Sequence, residues 1–212
     1  MSSRRVILWR HGRTAWNSEM RFQGGTDVPL DDVGVAQAER AARDLATLRP
    51  DRIVASDLER ARATAQALAD LVGLEVSTDP AFRETYAGTW QGLLRHEIIA
   101  LDPEVYAAWS AGADVRPGGG ESRTEVAARV SDGVRRHAAR LPEGGLLVIA
   151  THGGAARSGI GELLGLPVEH WAALGGLVNC AWSVLEELPL GGWRLAEHNA
   201  RSLPEEPVGD EA

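Results

Sequence analysis

Short apolar runs and longer stretches of helical spacing alternate along this chain. Residues 5–9 (RVILW) form a compact apolar run that predicts a buried strand, ending in the polar turn Arg10-His11-Gly12. Residues 12–30, with Gly24, Gly25 and Pro29, read as a long loop. Over 33–48, Val33, Ala36, Ala41, Leu45 and Leu48 can share one broad apolar helix face, with Asp31 or Asp32 as cap. A second short strand is expected within 51–55. A helix follows over 56–72, capped by Ser56 and stopped by Gly73, and then a third short strand at 74–77.

Residues 79–120 are less regular. Two helices are expected near 93–101 and 103–111, followed by the Gly-rich stretch 112–120, so that 88–120 reads as a small helical lid insertion. A helix over 122–140 leads to residues 145–151 (GLLVIAT), the strongest buried-strand signal in the chain. His152-Gly153-Gly154 then opens another helix ending near Gly165, and residues 180–185 and 193–197 read as a closing antiparallel pair. This alternation predicts an α/β fold: a three-layer α/β/α sandwich around a mainly parallel central sheet. One domain is expected over 1–203, followed by an acidic, disordered tail at 204–212.

Composition narrows the function classes. A chain of 212 residues buries a substantial core as a single domain. Its single cysteine, Cys180, cannot form an internal disulfide. No apolar run approaches the ~20 residues needed to span a bilayer, and the N-terminus lacks the apolar core of a signal peptide. The expectation is a cytoplasmic protein. A net charge of −8 argues against nucleic-acid and membrane-surface partners. All 22 basic residues are arginine, so any cationic pocket must be built from guanidinium groups, whose fork suits phosphate.

In α/β sheets of this kind, ligands sit beyond the carboxyl ends of the parallel strands. That rule selects Arg10-His11-Gly12 after the first strand, Arg60 near the start of the helix after the second, and Thr151-His152-Gly153 after the fourth. An isolated histidine in a turn is more often structural than chemical. Two at strand ends, with two arginines, favour an anion site. A neutral imidazole can attack phosphorus, and nearby arginines favour the neutral form. Arg62, on another side of the same helix as Arg60, reads as solvated. Glu84 is the candidate acid, since a carboxyl beside a phosphate can protonate a leaving oxygen. There is no HExxH, CxxC or close aspartate cluster, and arginine cannot ligate a cation, so neither metal nor cofactor is expected.

Residues 8–17 (LWRHGRTAWN) resemble the RHG signature of the histidine phosphatase, or phosphoglycerate mutase-like, superfamily. Further matches run in order: Arg21 to Gly24, Asp27 to Leu30 with Gly34, Ser56 to Ala61 with Thr64, Arg83-Glu84 with Gly88 and Trp90 to Gly92, Pro117 to Ser122, and Ala150 to Gly154. The resemblance covers roughly residues 5–199. It implies that His11 forms a phosphohistidine, that Arg10, Arg60 and His152 hold the phosphoryl oxygens, and that Glu84 is the proton donor. Asn17, Gln23, Gly24, Thr151 and Gly153 would line the pocket. The expected substrate is a small phosphate ester. Arg13 stands where the family usually has a small polar residue or a carboxylate side chain or its amide. Trp9 replaces the usual aliphatic residue and reads as packing.

Within the family the phosphatase branch fits better than the cofactor-dependent mutases. Ala87 stands where a mutase carries tyrosine, and residues 88–120 contain only Arg95 and Arg116 as basic residues. The alternatives are that mutase, an isomerase, and a phospho-ligand binder without catalysis. A closer likeness, over residues 83–92, 119–129, 166–176 and Asn179 to Trp182, is to the actinobacterial branch that includes glucosyl-3-phosphoglycerate phosphatase. The expectation is a small phosphorylated acid or sugar phosphate as substrate, and Arg13, Arg21, Arg83 and Arg116, available near the phosphate pocket, are candidate contacts. The strand at 180–185 reads as a possible sheet edge for homodimer pairing.

Overall fold

The computed structural model describes residues 3–202. The expected end of the domain at 203 and the tail at 204–212 lie outside the described residues. A six-stranded sheet has the order β3-β2-β4-β1-β5-β6. Its strands are β1 (Arg5–Arg10), β2 (Arg52–Ala55), β3 (Val76–Thr78), β4 (Leu146–Thr151), β5 (Trp182–Glu187) and β6 (Trp193–Ala200). β1, β2, β3 and β4 run parallel, while β5 pairs antiparallel with β1, and β6 with β5. All six residues of β4 are buried, as a central parallel strand requires.

Helices cover both faces. On one side Ile7, Trp9, Val148 and Ala150 pack against α2 (Asp32–Ala46) and α3 (Glu59–Val72). On the other, Val6, Leu8, Leu147 and Ile149 meet α6 (Arg123–Ala138) and α7 (Gly153–Leu163). A small separate cluster, with Trp90 and Ile98 at its centre, gathers Phe22, Tyr106 and Trp109 around α4 (Arg95–Leu101) and α5 (Pro103–Ser110). No described helix is long and apolar enough to cross a membrane.

Several local expectations are corrected. The 12–30 loop contains a short helix, α1 (Ala15–Ser18), with Thr14 and Asn17 forming a capping box. The buried face of α2 is made of Gly34, Ala38, Ala41, Ala42 and Leu45, whereas Val33, Ala36 and Leu48 are exposed; the alanines pack on the sheet, and Gly34 is needed where the helix meets the Arg13 backbone. Ser56 does not cap α3, which starts at Glu59. Instead Asp27 Oδ1, far away in sequence, accepts from the Glu59 N–H at 2.7 Å. Gly73 does end that helix, with φ of 70° in the left-handed region. The strand at the 180–185 expectation is no edge: β5 is hydrogen-bonded on both sides, and the free edges are β3 and β6.

Two backbone interlocks fix the loops around the strand ends. A Cβ on Gly12 would lie 2.3 Å from Gly34 O, and one on Gly34 would lie 2.0 Å from Arg13 O. Likewise a Cβ on Gly88 would meet Gly118 O at 1.9 Å, and one on Gly120 would meet Tyr86 O at 1.8 Å. The Gly-rich stretch at 117–120 is therefore clamped to residues 86–90. Gly34→Ala should destabilise the protein by about 1–3 kcal/mol, the range for overpacking a tight contact. Gly175→Ala, where nothing lies within 4 Å of the new Cβ, should stay within about 0.5 kcal/mol. Urea midpoints of the two variants check this; equal midpoints would refute the interlock.

Candidate active site

The carboxyl ends of β1, β2 and β4 converge on a cavity of about 320 Å³. Arg10, His11, Asn17, Gln23, Gly24, Arg60, Glu84 and Gly153 line it. His152 and Thr151 are fully buried alongside. The His11 and His152 rings stand 5.1 Å apart, tilted by 59°. Thr151 ties this end of the sheet together: its carbonyl accepts from the His11 N–H at 3.0 Å, and its hydroxyl donates to Phe82 O at 2.8 Å.

The hydrogen bonds fix both histidine tautomers. His11 Nδ1 lies 2.7 Å from Gly12 O. A carbonyl can only accept, so the proton of a neutral ring sits on Nδ1 and Nε2 keeps a free lone pair. At His152 the logic reverses. Arg60 Nε can only donate, and it lies 3.2 Å from His152 Nδ1. The His152 proton therefore sits on Nε2, a buried atom with no hydrogen-bond partner within the protein. Both imidazoles are held well below the ordinary pKa of 6.5, first by burial and then by neighbouring cationic arginines. The pair is thus one imidazole with a lone pair and one with an N–H donor.

Arg60 is fully buried with no carboxylate in hydrogen-bond contact. Its Nη1 and Nη2 donate to Thr26 O at 2.7 Å and Gly24 O at 2.9 Å, and burial lowers its pKa to about 10. Arg10 donates to Leu177 O at 2.6 Å, and its Nε is buried without a partner. Asn17 and Gln23 are oriented by their oxygens. Asn17 Oδ1 accepts from Thr14 and Asn179, and Gln23 Oε1 accepts from the Thr14 hydroxyl, so both amide NH2 groups remain available as donors.

Glu84 is seated on the N-terminus of α7. Its carboxylate accepts from Gly154 N at 3.0 Å, Ala155 N at 2.9 Å and Thr85 N at 2.8 Å. A helix N-terminus favours a negative charge there. Arg129 secures the loop that carries it, donating to Ala81 O, Arg83 O, Glu84 O and the carboxylate of Glu121.

The four arginines proposed as substrate contacts divide. Arg21 lines the cavity, held by Glu19 and Gly92 O. Arg13, Arg83 and Arg116 do not line it, and each is engaged by a nearby carboxylate: Asp31 at 2.8 Å, Asp57 through two bonds, and Glu125. Arg62 is exposed, as its place on α3 implies. Sequence reasoning missed Arg123, Arg157, Thr85 and Trp109 on the cavity wall, and Arg129 and Asn179 behind it. Arg157 had a usable signal, four residues after Gly153 on the same helix face. The others are brought in only by distant contacts. Among the described residues, no three His, Cys, Asp or Glu side chains gather as a metal-ligand set.

A parallel-sheet α/β protein with a lone-pair imidazole, an N–H imidazole, two guanidiniums and a carboxyl at one strand-end pocket is built to take and transfer an anionic group. A family model described as the histidine phosphatase superfamily, branch 1, matches residues 6–201. The chain belongs to that superfamily. It is 42% identical over 214 residues to glucosyl-3-phosphoglycerate phosphatase of Mycobacterium tuberculosis, covering 94% of this chain and 96% of that one. The solved structure of mycobacterial glucosyl-3-phosphoglycerate phosphatase in complex with VO3 matches with a TM-score of 0.88, covering 93% of this chain and 99% of that one. Phosphoglycerate mutase-like protein 4 of Arabidopsis thaliana is 41% identical over 157 residues, covering 72% of this chain and 68% of that one.

Two buried neutral histidines make stability depend on pH. Above the ordinary imidazole range, folded and unfolded states are both neutral and nothing is gained or lost. As pH falls through about 6.5, the unfolded chain binds protons that the folded chain refuses, so stability falls. Each histidine contributes up to about 1.4 kcal/mol per pH unit. Thermal melts from pH 7 to 5 should show a steeper decline for the native chain than for His152→Asn. Parallel curves would contradict the buried neutral state.

Proposed function

We propose that the chain is a metal-independent phosphomonoesterase that works through a phosphohistidine on His11. What supports the reading is the free Nε2 lone pair of a neutral, buried imidazole surrounded by donors. His11 Nε2 attacks phosphorus as the bond from phosphorus to the ester oxygen breaks, and Glu84, which takes up a proton when the anionic phosphate binds beside it, gives that proton to the departing oxygen. Water then attacks the phosphohistidine, Glu84 takes a proton from it, the N–P bond breaks, and inorganic phosphate leaves. Arg10, Arg60 and the His152 Nε2–H stabilise the phosphoryl oxygens throughout, the dominant form of catalysis in such transfers. Asn17, Gln23 and the backbone at Gly24 and Gly153 complete the phosphate pocket.

The substrate in this reading is a small phosphorylated acid, with glucosyl-3-phosphoglycerate the leading candidate. Its support is the similarity to phosphatases of that name. The competing isomerase reading requires transfer between 2- and 3-phosphoglycerate primed by a bisphosphoglycerate. Ala87, fully buried where a mutase would carry tyrosine, speaks against it. A cytoplasmic setting accords with one unpaired cysteine, Cys180, whose thiol burial pushes up to about 12.

The test is phosphate release in excess EDTA. kcat/KM on glucosyl-3-phosphoglycerate should exceed that on glucose 6-phosphate and an aryl phosphate at least about tenfold, equivalent to ~1.4 kcal/mol of transition-state binding. His11→Ala should lose turnover while keeping its melting transition, and rapid acid quench of the native enzyme should trap labelled phosphohistidine. Turnover by that variant, or activity that EDTA abolishes and a divalent cation restores, would end the proposal. Glu84→Gln should cost about 10²–10⁴-fold on an alkyl or sugar ester, whose alkoxide needs the proton. The loss on nitrophenyl phosphate should be much smaller, and equal losses would assign Glu84 a structural part only.

A further inference from the structure

The cavity holds more positive charge than a phosphate site needs. Beyond Arg10 and Arg60, its wall carries Arg123 and Arg157. Arg123 is the first residue of α6. Its guanidinium stands 5.3 Å from the centre of the Trp109 ring and donates to Trp109 O at 2.7 Å and Ala113 O at 3.3 Å. Arg157 lies on α7, and among the described residues its guanidinium has no hydrogen-bond or ion-pair partner. Its Nε is buried with nothing to bond to. Gly176 leaves room for this group, since a Cβ there would lie 2.6 Å from Arg157 Nη2.

Neither guanidinium has a carboxylate in hydrogen-bond contact among the described residues, and Asp114 acts on Arg123 only at a distance. The two carboxylates on the same wall are already committed: Glu84 to the start of α7, and Glu121 to Arg129 and the Tyr86 N–H. The two guanidiniums repel one another, and that repulsion, added to burial, lowers the pKa of Arg123. Arginines elsewhere, such as Arg13, Arg83 and Arg116, are paired with acids. Two adjacent, partly desolvated guanidiniums without an acid between them are complementary to an anion supplied from outside.

The place of Arg157 limits which molecule can reach both sites. It follows Gly153 by four residues on the same face of α7, and it lines the same cavity as Arg10, His11 and Arg60. Gly153 adjoins Arg10, with its Cβ position 3.5 Å from Arg10 Nε. A three-carbon chain, at ~1.5 Å per carbon–carbon bond, is short enough to carry a phosphate and a carboxylate within this one cavity of about 320 Å³.

We propose that Arg157, with Arg123 beside it, forms a second anion subsite that holds the carboxylate of a phosphorylated three-carbon acid while its phosphate occupies the Arg10–Arg60 site. The inference rests on the phosphomonoesterase reading above and adds to it the reason an acid is preferred over a neutral ester. A planar guanidinium takes a carboxylate through two parallel hydrogen bonds, which a hydroxymethyl group cannot replace.

The test compares 3-phosphoglycerate with glycerol 3-phosphate, which has a hydroxymethyl group in place of the carboxylate. Arg157 makes no internal bond, so Arg157→Gln should fold normally. KM for 3-phosphoglycerate should rise at least tenfold in this variant while that for glycerol 3-phosphate stays within twofold, and Arg157→Lys should recover part of the loss. Calorimetric titration of both ligands into His11→Ala chains, with and without Arg157→Gln, reads the same selectivity without turnover. Equal weakening of both ligands, or no change in either, overturns the carboxylate subsite. If the native chain releases phosphate neither from these esters nor from glucosyl-3-phosphoglycerate and an aryl phosphate, yet titration still shows the Arg157-dependent preference for the acid, the catalytic reading has failed and the subsite stands.

Discussion

Burying a cation without a carboxylate beside it is the constraint around which this pocket is organised. Arg60 has no exposed surface, and a buried charge costs several kcal/mol unless its donors are satisfied. Its partners are neutral dipoles: the carbonyls of Gly24 and Thr26, and His152 Nδ1. These bonds use three of its five N–H groups, leave two for an incoming anion, and leave the positive charge offset only at a distance by Glu84 and Asp27. They also decide other features of the site. Bonding to Gly24 and Thr26 ties the 23–27 loop to the sheet, and donation to Nδ1 forces the His152 proton onto Nε2. Burial first, and then this positive potential, keeps His11 and His152 neutral, so the cation that attracts an anion also helps preserve the lone pair that can attack it.

The carboxyl component is controlled by a separate set of contacts. Glu84 belongs to an irregular segment, and loops of that kind hold position only when their backbone groups are engaged. Here Arg129 collects three carbonyls of that segment, and α7 offers its first N–H groups to the carboxylate itself. The interlocked glycines at 88, 118 and 120 continue the restraint into the wall that carries Pro117 and Glu121. The acid and the histidines are thus held by different elements that meet at α7, whose first turn contacts both.

Secondary structure was legible wherever periodicity and burial agreed. The apolar runs of β1 and β4 are long and continuous because both faces of a central parallel strand are covered. Their ends had to present His11 and His152 at the same edge of the sheet once the strands were parallel. Legibility failed where the partner of a group lies far away in the chain. Ser56 looks like the cap of α3, yet Asp27 supplies it. Val33 and Leu48 look like core residues of this helical stretch, yet the buried face is Gly34, Ala38, Ala41, Ala42 and Leu45, with Gly34 set against the distant Arg13 backbone. Residues 180–185 look like an edge, yet β6 covers them.

The arginines show the division most clearly. The sequence by itself determined that phosphate would be met by guanidinium groups, because the chain has no lysine, and it determined which arginines follow strand ends. It could not tell Arg13, Arg83 and Arg116 from Arg123 and Arg157. All five lie close to recognisable motifs. Only the tertiary structure decided that Asp31, Asp57 and Glu125 engage the first three, while the last two meet on the cavity wall without an acid. The physical reason is that a long cationic side chain is committed by whatever carboxylate the fold brings within about 4 Å, and that distance is set by chain-distant packing rather than by neighbours in sequence.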